Sequence, residues 1–259
     1  MSVLDQFRLD GKRALITGAS RGLGRAMAQA LAEAGADLIL VGREAETLQK
    51  AKEELIPLGR RVDVMQADLF QPEATEQMCR RALEEFGPIH VLINNVGGRR
   101  ENTPLPEQSL ADWHRLLDLN LTSAFVCTKL IGAAMLPRGW GRVINIGSMC
   151  GQIAGRNIHG RHYETAKAVL AGFTRAVAAD WAPRGVTVNA IAPGGFLTDA
   201  NRRWFKERPT LKQEIEAFIP MGRLGEPHEI GPLALYLASE ASSYMTGSVV
   251  FIDGGYTLW

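Results

Sequence analysis

The chain has 259 residues, which is enough for one large α/β domain or two small ones. Its 29 Lys and Arg residues balance 28 Asp and Glu residues, and the two signs are interspersed, so charge gives no support to a nucleic-acid or anionic-membrane partner. The N-terminus has no basic region followed by an apolar run, and no window of about 18 apolar residues occurs. We therefore expect a soluble, cytoplasmic protein with a small-molecule or protein partner.

Seven short runs rich in Val, Ile and Leu predict β-strands, separated by longer stretches with helical periodicity. Because these runs show little alternation, we expect strands that are covered on both faces. The predicted strands are RALIT (13–17), DLILV (37–41), RVDVMQA (61–67), IHVLIN (89–94), GRVINI (141–146), VTVNAIA (186–192) and SVVFID (248–253). The stretches 26–35 and 44–55 predict amphipathic helices, and LDLNLTSAFVCTKL (117–130) predicts a buried helix.

The regular alternation of strand and helix predicts the α/β class. We expect a single-domain, Rossmann-type, doubly wound seven-stranded parallel sheet with helices on both faces. The chain shows no linker and no second composition zone, so residues 1–259 form one predicted domain. The charge-rich segment 198–223 breaks the alternation, and it predicts a small helical lid over a site.

The first predicted strand runs into TGASRGLG (17–24) and then into a helix, which is the context that a dinucleotide-binding turn requires. Gly18 would let the turn form, Gly22 would let the backbone approach a pyrophosphate, and Gly24 would let the helix pack closely. The same turn supplies further expected cofactor contacts: Ser20, Arg21 and Leu23. A glycine-rich turn without a ligand is the alternative.

Gly42 and Arg43 follow the second strand, where many NAD-binding sites carry an acid that binds the ribose hydroxyls. A missing carboxylate removes repulsion toward a 2′-phosphate, and Arg43 together with Arg21 could pair with that group. NADP(H) is therefore favoured over NAD(H). In the alternative, Arg43 only begins a helix beside Glu44 and Glu46, and NAD binds loosely.

Further polar positions follow predicted strands or lie within an apolar helix. Asp68, beside Leu69, could accept a hydrogen bond from an adenine amino group, or it could simply begin a helix. Asn95 and Gly97 lie in NNVGG (94–98), where backbone can approach a ligand at the carboxyl edge of the sheet, unless the stretch is a plain strand exit. An unpaired Asn120 amide would cost about 1–3 kcal/mol, so we expect backbone, water or a proton path to bind it.

Tyr163 and Lys167 are four positions apart in RHYETAK (161–167), which places both on one helix face. A phenol has a reference pKa of about 10 and is a poor base unless a cation favours phenolate, a cation that Lys167 would supply. Ser148 follows the strand ending in VINIGS and would hold a substrate oxygen. Tyr163 would move a proton while hydride passes to or from nicotinamide. The spacing alone could be accidental; Ser148 and the glycine turn favour catalysis.

In this order, these motifs resemble the short-chain dehydrogenase/reductase family over nearly the whole chain. The resemblance rests on TGASRGLG, NNVG, Asn120, Ser148, YETAK, PGGFLT (193–198) and IDGGY. It implies a catalytic tetrad of Asn120, Ser148, Tyr163 and Lys167. In that tetrad Lys167 would also bind the nicotinamide ribose, and Asn120 would support a proton-relay water.

The same resemblance implies contacts and partners that the spacing alone does not. Residues flanking the nicotinamide and the phosphates would be Pro193, Gly194, Phe196 and Thr198, and the chain would form a homotetramer or homodimer. Val96 and Gly147 depart from the family's usual residues, and the loop from Ser148 to Tyr163 is a couple of residues longer than usual. We expect that loop to reshape the substrate pocket.

Six arginines fall on segments that should rim the pocket: Arg99, Arg100, Arg156, Arg161, Arg202 and Arg203. Each could be an ordinary solvated charge, but together they suggest an anionic substrate. The stretches GGRRE, NAIAPGGFLTDAN and DGGYTLW resemble sugar-acid members such as gluconate 5-dehydrogenases and deoxyketogluconate dehydrogenases. We therefore expect NADP-dependent interconversion of a keto acid or ketosugar acid and its alcohol, with Ser148 and His162 also near the substrate.

Alternative functions stay open. A 3-oxoacyl thioester reductase would use the same arginines against the acidic surface of an acyl-carrier protein, and a broad carbonyl reductase is a related possibility. A non-catalytic NADP-binding sensor would keep the glycine turn but would have no need for Ser148, Tyr163 and Lys167 together.

The remaining candidate ligands for a metal are weak. Cys79, Cys127 and Cys150 are widely spaced in apolar or helical contexts, so we expect small core residues rather than a disulfide framework or a zinc site. His159 and His162 lack a third ligand, so no metal is expected, and we place His162 at the pocket edge.

Overall fold

The fold is described from a computed structural model, over residues 2–155, 159–207 and 209–258. Seven parallel strands form one sheet in the order β3-β2-β1-β4-β5-β6-β7. The strands are β1 (Arg13–Thr17), β2 (Asp37–Gly42), β3 (Val62–Gln66), β4 (Val91–Asn94), β5 (Gly141–Ile146), β6 (Val186–Pro193) and β7 (Val249–Ile252). Each lies within two residues of its predicted bounds.

The helices fill the gaps between the strands. They are α1 (Gly22–Glu33), α2 (Ala45–Leu55), α3 (Pro72–Phe86), α4 (Leu110–Leu117), α5 (Ser123–Cys127), α6 (His162–Trp181), α7 (Asp199–Glu207), α8 (Pro209–Glu216) and α9 (Gly231–Ala238). A π-helical turn, Asp118–Thr122, joins α4 to α5, and a second π-helical turn, Thr128–Gly132, follows α5.

Both faces of the sheet are buried, which explains the apolar runs without alternation. Successive residues of β2 point to opposite sides: Leu38 and Leu40 pack with α1, α2 and α9, whereas Ile39 and Val41 pack on the side of α3, α5 and α6. The predicted single-domain, doubly wound parallel sheet with helices on both faces is confirmed.

The direction in which successive strands are added to the sheet changes between β1 and β4. From β1 the chain winds outward to β2 and β3, and it then returns to place β4 on the other side of β1. Ile16 pairs with Ile93 there, and the Thr17 hydroxyl accepts hydrogen bonds from the backbone of Asn95 (2.9 Å) and Val96 (3.1 Å). In such sheets the crevice at the carboxyl ends of the two strands is the usual ligand site.

The helical stretch Leu110–Arg138 is long and apolar enough to cross a membrane by length and composition alone. An 18-residue window in it has a mean hydropathy of 1.5, but 56% of that window is buried within the protein. Polar residues such as Asn120 and Ser123 interrupt the stretch, so it holds no uninterrupted run of 18 apolar residues, as expected. Contacts with α3 and α6 account for its apolar character.

Two of the three cysteines are core residues, as expected. Cys79 and Cys127 are fully buried with their Sγ atoms 3.7 Å apart, and the contact with Cys79, together with burial, raises the pKa of the Cys127 thiol. Cys150 differs, because it is only half-buried and follows Ser148 in the loop after β5.

Candidate active site

The glycine turn after β1 has the geometry that its sequence predicts. Gly18 and Gly22 have positive φ angles of 66° and 57°, a region that favours glycine. A Cβ on Gly24 would lie 2.3 Å from the carbonyl oxygen of Gly18. Asn95 fixes the turn from the end of β4, since its side-chain amide donates to the carbonyls of Thr17 (2.9 Å) and Gly18 (3.1 Å).

Two cavities meet along this turn and form one cleft. The first, of about 130 Å³, includes among its lining residues Gly18, Ser20, Arg21, Arg43, Leu69, Asn95 and Gly97. The second, of about 290 Å³, includes Leu23, Gly24, Ser148, Tyr163, Lys167, Pro193, Gly194, Phe196 and Thr198. Arg21, Asn95 and Gly97 line both. The cleft therefore joins nearly all predicted cofactor residues to three of the four predicted catalytic residues.

The start of α1 is suited to an anion. Its N-cap residue, Arg21, makes no side-chain capping bond, so the first backbone N–H groups of the helix remain available to a ligand. Together with the cradle at Gly18 and Gly24, this fits the diphosphate of a dinucleotide.

Asp68 differs from its neighbours in the predicted adenine subsite. Ala67 and Leu69 line the first cavity, whereas the exposed Asp68 carboxylate accepts a hydrogen bond from the backbone of Phe70 at 3.2 Å. The bond lies in the turn before α3, whose N-cap is Gln71, so Asp68 does not cap the helix, and adenine recognition by Asp68 stays a prediction.

Arg100 lines the cofactor end of the cleft, whereas the prediction placed it at the rim of the substrate pocket. Its φ of 60° turns the chain back, and its guanidinium donates to the carbonyl of Gly97 at 3.2 Å. Although the residue as a whole is exposed, burial of the guanidinium lowers the pKa of Arg100, and repulsion from Arg43 and Arg21 lowers it further. Three arginines thus surround the first cavity, where Glu44 is the acidic lining residue among those described.

The tetrad is assembled from three segments: the π-helical turn after α4, the exit of β5 and helix α6. Lys167, on α6, is buried, and its Nζ donates to the carbonyl of Ile146 at the end of β5 (2.8 Å). Asn120 lies in the π-helical turn, donates to the carbonyls of Leu116 (2.9 Å) and Gly98 (3.1 Å), and accepts from the Gly98 N–H (2.8 Å). Backbone therefore satisfies the Asn120 amide, the first of the three expected outcomes.

Tyr163 and Ser148 complete the group at the mouth of the second cavity. The Ser148 hydroxyl accepts from the backbone of Cys150 at 3.1 Å, and a hydrogen bond joins it to the Tyr163 phenol. Hydroxyl, phenol and ammonium therefore face one space, as their order on β5 and α6 predicts.

The expected effect of Lys167 on Tyr163 is not the dominant one. Burial raises the pKa of Tyr163, and the hydrogen bond from Ser148 and the charge of Arg99 oppose that rise only in part. Burial also lowers the pKa of Lys167, to about 8. The Lys167 ammonium is 5.8 Å from the centre of the Tyr163 ring and donates to the Ile146 carbonyl. Burial in the protein interior, and not this neighbouring cation, therefore has the largest effect on the pKa of Tyr163.

Arg99 is engaged by the protein. Its guanidinium forms a bidentate ion pair with Glu164, with both N···O distances 2.9 Å, and its Cζ lies 4.9 Å from the centre of the Tyr163 ring. Arg99 is therefore not free to bind an anion as predicted, because its guanidinium already pairs with the Glu164 carboxylate.

The other predicted substrate residues are dispersed. His162 is fully buried instead of at the pocket edge, because Gln108 and the carbonyl of Arg99 bond its two ring nitrogens, each at 2.9 Å. Arg161 is half-exposed and also contacts Glu164, at 3.0 Å. Arg202 and Arg203 are exposed on α7, and Arg202 pairs with Glu226. Arg156 lies outside the described residues.

Three residues near the site were not identified from the sequence. Glu164, Cys150 and Asn201 contact the tetrad's surroundings or line the second cavity. Glu164 had a signal that could have found it: an acid directly after Tyr163, in the first turn of α6. Asn201 had none, because its place depends on how α7 folds back to the cleft.

The arrangement suits proton transfer beside a bound dinucleotide. Ser148 can hold a substrate oxygen, Tyr163 can give or take its proton, and Lys167 lies where it can bind a ribose and support a phenolate. A nicotinamide cofactor, when bound, supplies or accepts the hydride.

Comparison with known proteins agrees with this geometry. A family model described as enoyl-(acyl carrier protein) reductase matches residues 18–257. Galactitol 2-dehydrogenase (L-tagatose-forming) of Cereibacter sphaeroides is 41% identical over 254 residues, which cover 98% of each chain. Gluconate 5-dehydrogenase of Gluconobacter oxydans is 35% identical over 262 residues, covering 100% of this chain and 99% of that one.

A solved structure supports the same relationship. The 3-oxoacyl (acyl-carrier-protein) reductase from Agrobacterium tumefaciens C58, solved with NADP bound, superposes with a TM-score of 0.92 at 34% identity and covers 99% of this chain and 98% of that one. The family model and this structural match both span the segments that carry the glycine turn and the tetrad. The chain therefore belongs to the short-chain dehydrogenase/reductase family, whose members are oxidoreductases that act on CH–OH groups.

Proposed function

We propose that this oxidoreductase interconverts a secondary alcohol and a ketone with NADP(H), and that its substrate is a sugar acid or keto acid. The observation that carries the proposal is the single cleft with Arg21, Arg43 and Arg100 at one end and Ser148, Tyr163 and Lys167 at the other. In the reducing direction, Tyr163 gives its proton to the substrate oxygen that Ser148 holds.

The preference for a phosphorylated cofactor is supported by charge at the first cavity. Gly42 leaves no carboxylate at the end of β2, and Arg21, Arg43 and Arg100 line the first cavity close enough to repel one another. Bringing a dianion there relieves the repulsion among these arginines and forms charge-assisted hydrogen bonds. The related A. tumefaciens reductase binds NADP in a similar fold.

The preference for an anionic substrate is supported by charge beside Tyr163. The Glu164 carboxylate forms ion pairs with both Arg99 and Arg161. These three side chains together carry one net positive charge, and Glu164 directly follows Tyr163 in the chain. The Arg161 side chain is 40% exposed, so it remains accessible from solvent. The gluconate 5-dehydrogenase of G. oxydans is a relative whose name states a sugar-acid substrate.

The cofactor preference can be tested with steady-state kinetics. We expect wild-type kcat/KM to be higher with NADPH than with NADH, and Arg43→Gln to lower it for NADPH by roughly 10–100-fold, the equivalent of about 1.5–3 kcal/mol for a charged hydrogen bond. The value for NADH should change little. Lys50→Gln removes an exposed cation from α2 and serves as the control. Equal wild-type kcat/KM for the two cofactors would contradict the proposal.

The substrate class can be tested with a panel. NADPH consumption should be followed with 5-ketogluconate, L-tagatose, acetoacetyl thioester and simple ketones, and the products identified by mass. We expect the highest kcat/KM for the ketosugar acid. Tyr163→Phe should lower kcat by roughly 10²–10⁴-fold and still bind NADPH. Turnover confined to ketones without a carboxylate would contradict the substrate class, and a near-normal kcat in Tyr163→Phe would contradict the acid role.

A 3-oxoacyl thioester reductase is the second candidate, and α7 favours it. This helix carries three exposed cations, Arg202, Arg203 and Lys206, next to the cleft residue Asn201. Such a face complements an acidic carrier protein. If this candidate holds, acetoacetyl thioester on a carrier protein should give the highest kcat/KM, and added salt should lower it.

A further inference from the structure

Arg99 ties the loop after β4 to the segment that begins α6. Besides its bidentate pair with Glu164, its Nη1 donates to the carbonyls of His159 (2.6 Å) and Gly160 (3.2 Å). Its own carbonyl contacts the His162 ring at 2.9 Å. The guanidinium therefore has a fixed position even though it lies on an irregular loop.

The pair is well shielded from water. The side chains of Arg99 and Glu164 are 15% and 12% exposed, in contrast to the exposed ion pairs of α3. Glu164 also accepts from the backbone of Gly155 at 3.4 Å. Charges held in such surroundings are screened less than surface charges, so their effect on a neighbouring group is larger.

The guanidinium of Arg99 stacks near the ring of the catalytic tyrosine. Its Cζ is 4.9 Å from the ring centre, closer than the Nζ of Lys167 at 5.8 Å. The polar and charged groups around Tyr163 come from three segments. They are Arg99 and Arg100 after β4, Ser148 and Cys150 after β5, and Glu164 and Lys167 on α6. Arg99 is thus one of two cations flanking the ring.

We propose that Arg99 is a positioning residue that Glu164 clamps over the Tyr163 ring, and that this pair sets the pH range in which Tyr163 exchanges its proton. The inference rests on the proposed role of Tyr163 as the acid. It places an electrostatic partner of Tyr163 on the loop after β4, in addition to the Lys167 ammonium that lies 5.8 Å from the ring centre on α6.

The two members of the pair act in opposite directions. The positive charge of Arg99 favours phenolate and lowers the pKa of Tyr163, whereas the negative charge of Glu164 raises it. Removing the cation should therefore move the titration of Tyr163 to higher pH, and removing the anion should move it to lower pH. A role in packing alone would produce no such opposition.

The direct test follows the phenol itself. The chain has four tyrosines. Labelled with ¹³C at Cζ, they can be titrated by NMR, and Tyr163→Phe identifies the signal of Tyr163. We expect Arg99→Gln to raise the apparent pKa by about one unit and Glu164→Gln to lower it by a similar amount. In Glu164→Gln the carbonyls of His159 and Gly160 still hold Arg99. Arg99→Lys keeps the charge without the bidentate pair and should give an intermediate value.

A kinetic arm uses NADPH-dependent reduction of 5-ketogluconate or acetoacetyl thioester. Because reduction needs the protonated phenol, the rate should persist to higher pH in Arg99→Gln and fall at lower pH in Glu164→Gln. Arg81→Gln removes a cation from an exposed pair on α3 and should leave the profile in place.

The outcomes separate this inference from the proposed function. Shifts of the Tyr163 signal in the same direction in both variants, or no shift in either, would overturn the inference. Failure of every panel substrate would count against the proposed function, yet the NMR titration would still decide the role of Arg99.

Discussion

The ammonium of Lys167 is in the protein interior, where it donates a hydrogen bond to the carbonyl of Ile146. Burial lowers the pKa of Lys167 from 10.5 to about 8, which means that folding strips water from a charge without full compensation. The unfolded chain holds this proton more tightly than the folded protein does. The cost is therefore fully present below about pH 8, and it is relieved as the pH rises toward 10.5.

Lys167→Met should consequently stabilise the protein while it abolishes most activity. The shift corresponds to about 3 kcal/mol at neutral pH, and loss of the bond to Ile146 subtracts about 1 kcal/mol, so we expect a net gain of about 2 kcal/mol in the free energy of unfolding. Denaturant unfolding at several pH values measures it. The gain should shrink above about pH 8. A variant that is less stable than the wild type at pH 7 would show that the buried Lys167 charge does not destabilise the folded protein.

Several elements converge on the small volume around Gly97. The exit of β4, the π-helical turn that carries Asn120, and the first turns of α6 meet there. A Cβ on Gly97 would lie 2.8 Å from Oδ1 of Asn120 and 3.0 Å from Nζ of Lys167. Glycine is required at this position by the approach of the Asn120 and Lys167 side chains and not by its own backbone conformation.

Gly97→Ala should therefore separate these elements by a small distance. We expect kcat/KM to fall by roughly 100-fold, because small displacements of positioned groups are costly in catalysis, and the free energy of unfolding to fall by about 1–3 kcal/mol. Kinetics and denaturant unfolding measure the two effects. An unchanged kcat/KM would mean that Asn120 and Lys167 can move apart without consequence.

The outer surface of the molecule has an apolar face formed by α5 and α6. Phe125 is 46% exposed and Val169 is 47% exposed, and the rings of Phe125 and Phe173 are 6.1 Å apart. At one edge of the sheet, the outer strand β7 leaves its Phe251 38% exposed. Exposed apolar patches and free sheet edges are surfaces that oligomers bury.

We therefore keep the prediction of a homotetramer or homodimer, and we expect the face of α5 and α6 to form one interface. Phe125→Asp should lower the assembly mass measured by sedimentation, because it places a charge in an apolar contact. A surface substitution outside both patches, Glu53→Gln on α2, should leave the mass unchanged. A wild-type chain that sediments as a monomer would contradict the prediction.

The sequence by itself determined the strands, the cofactor turn and the placement of Tyr163 and Lys167, because the patterns that predict them are local. The apolar runs of β1 to β7, the glycines of TGASRGLG and the i, i+4 spacing of Tyr163 and Lys167 each depend on neighbours within a few residues. A parallel sheet then brings the carboxyl ends of its strands together, so the order of the motifs was enough to predict the cleft and the tetrad.

Tertiary structure decided what depends on contacts distant in sequence. Arg99 and Arg100 are adjacent in the chain, yet one pairs with Glu164 beside the reacting phenol and the other joins Arg43 and Arg21 at the cofactor end. The positive φ of Arg100 sends the two side chains apart. Likewise, burial and not the nearby lysine dominates the pKa of Tyr163, since desolvation is a property of the whole surrounding volume and not of any spacing in the sequence.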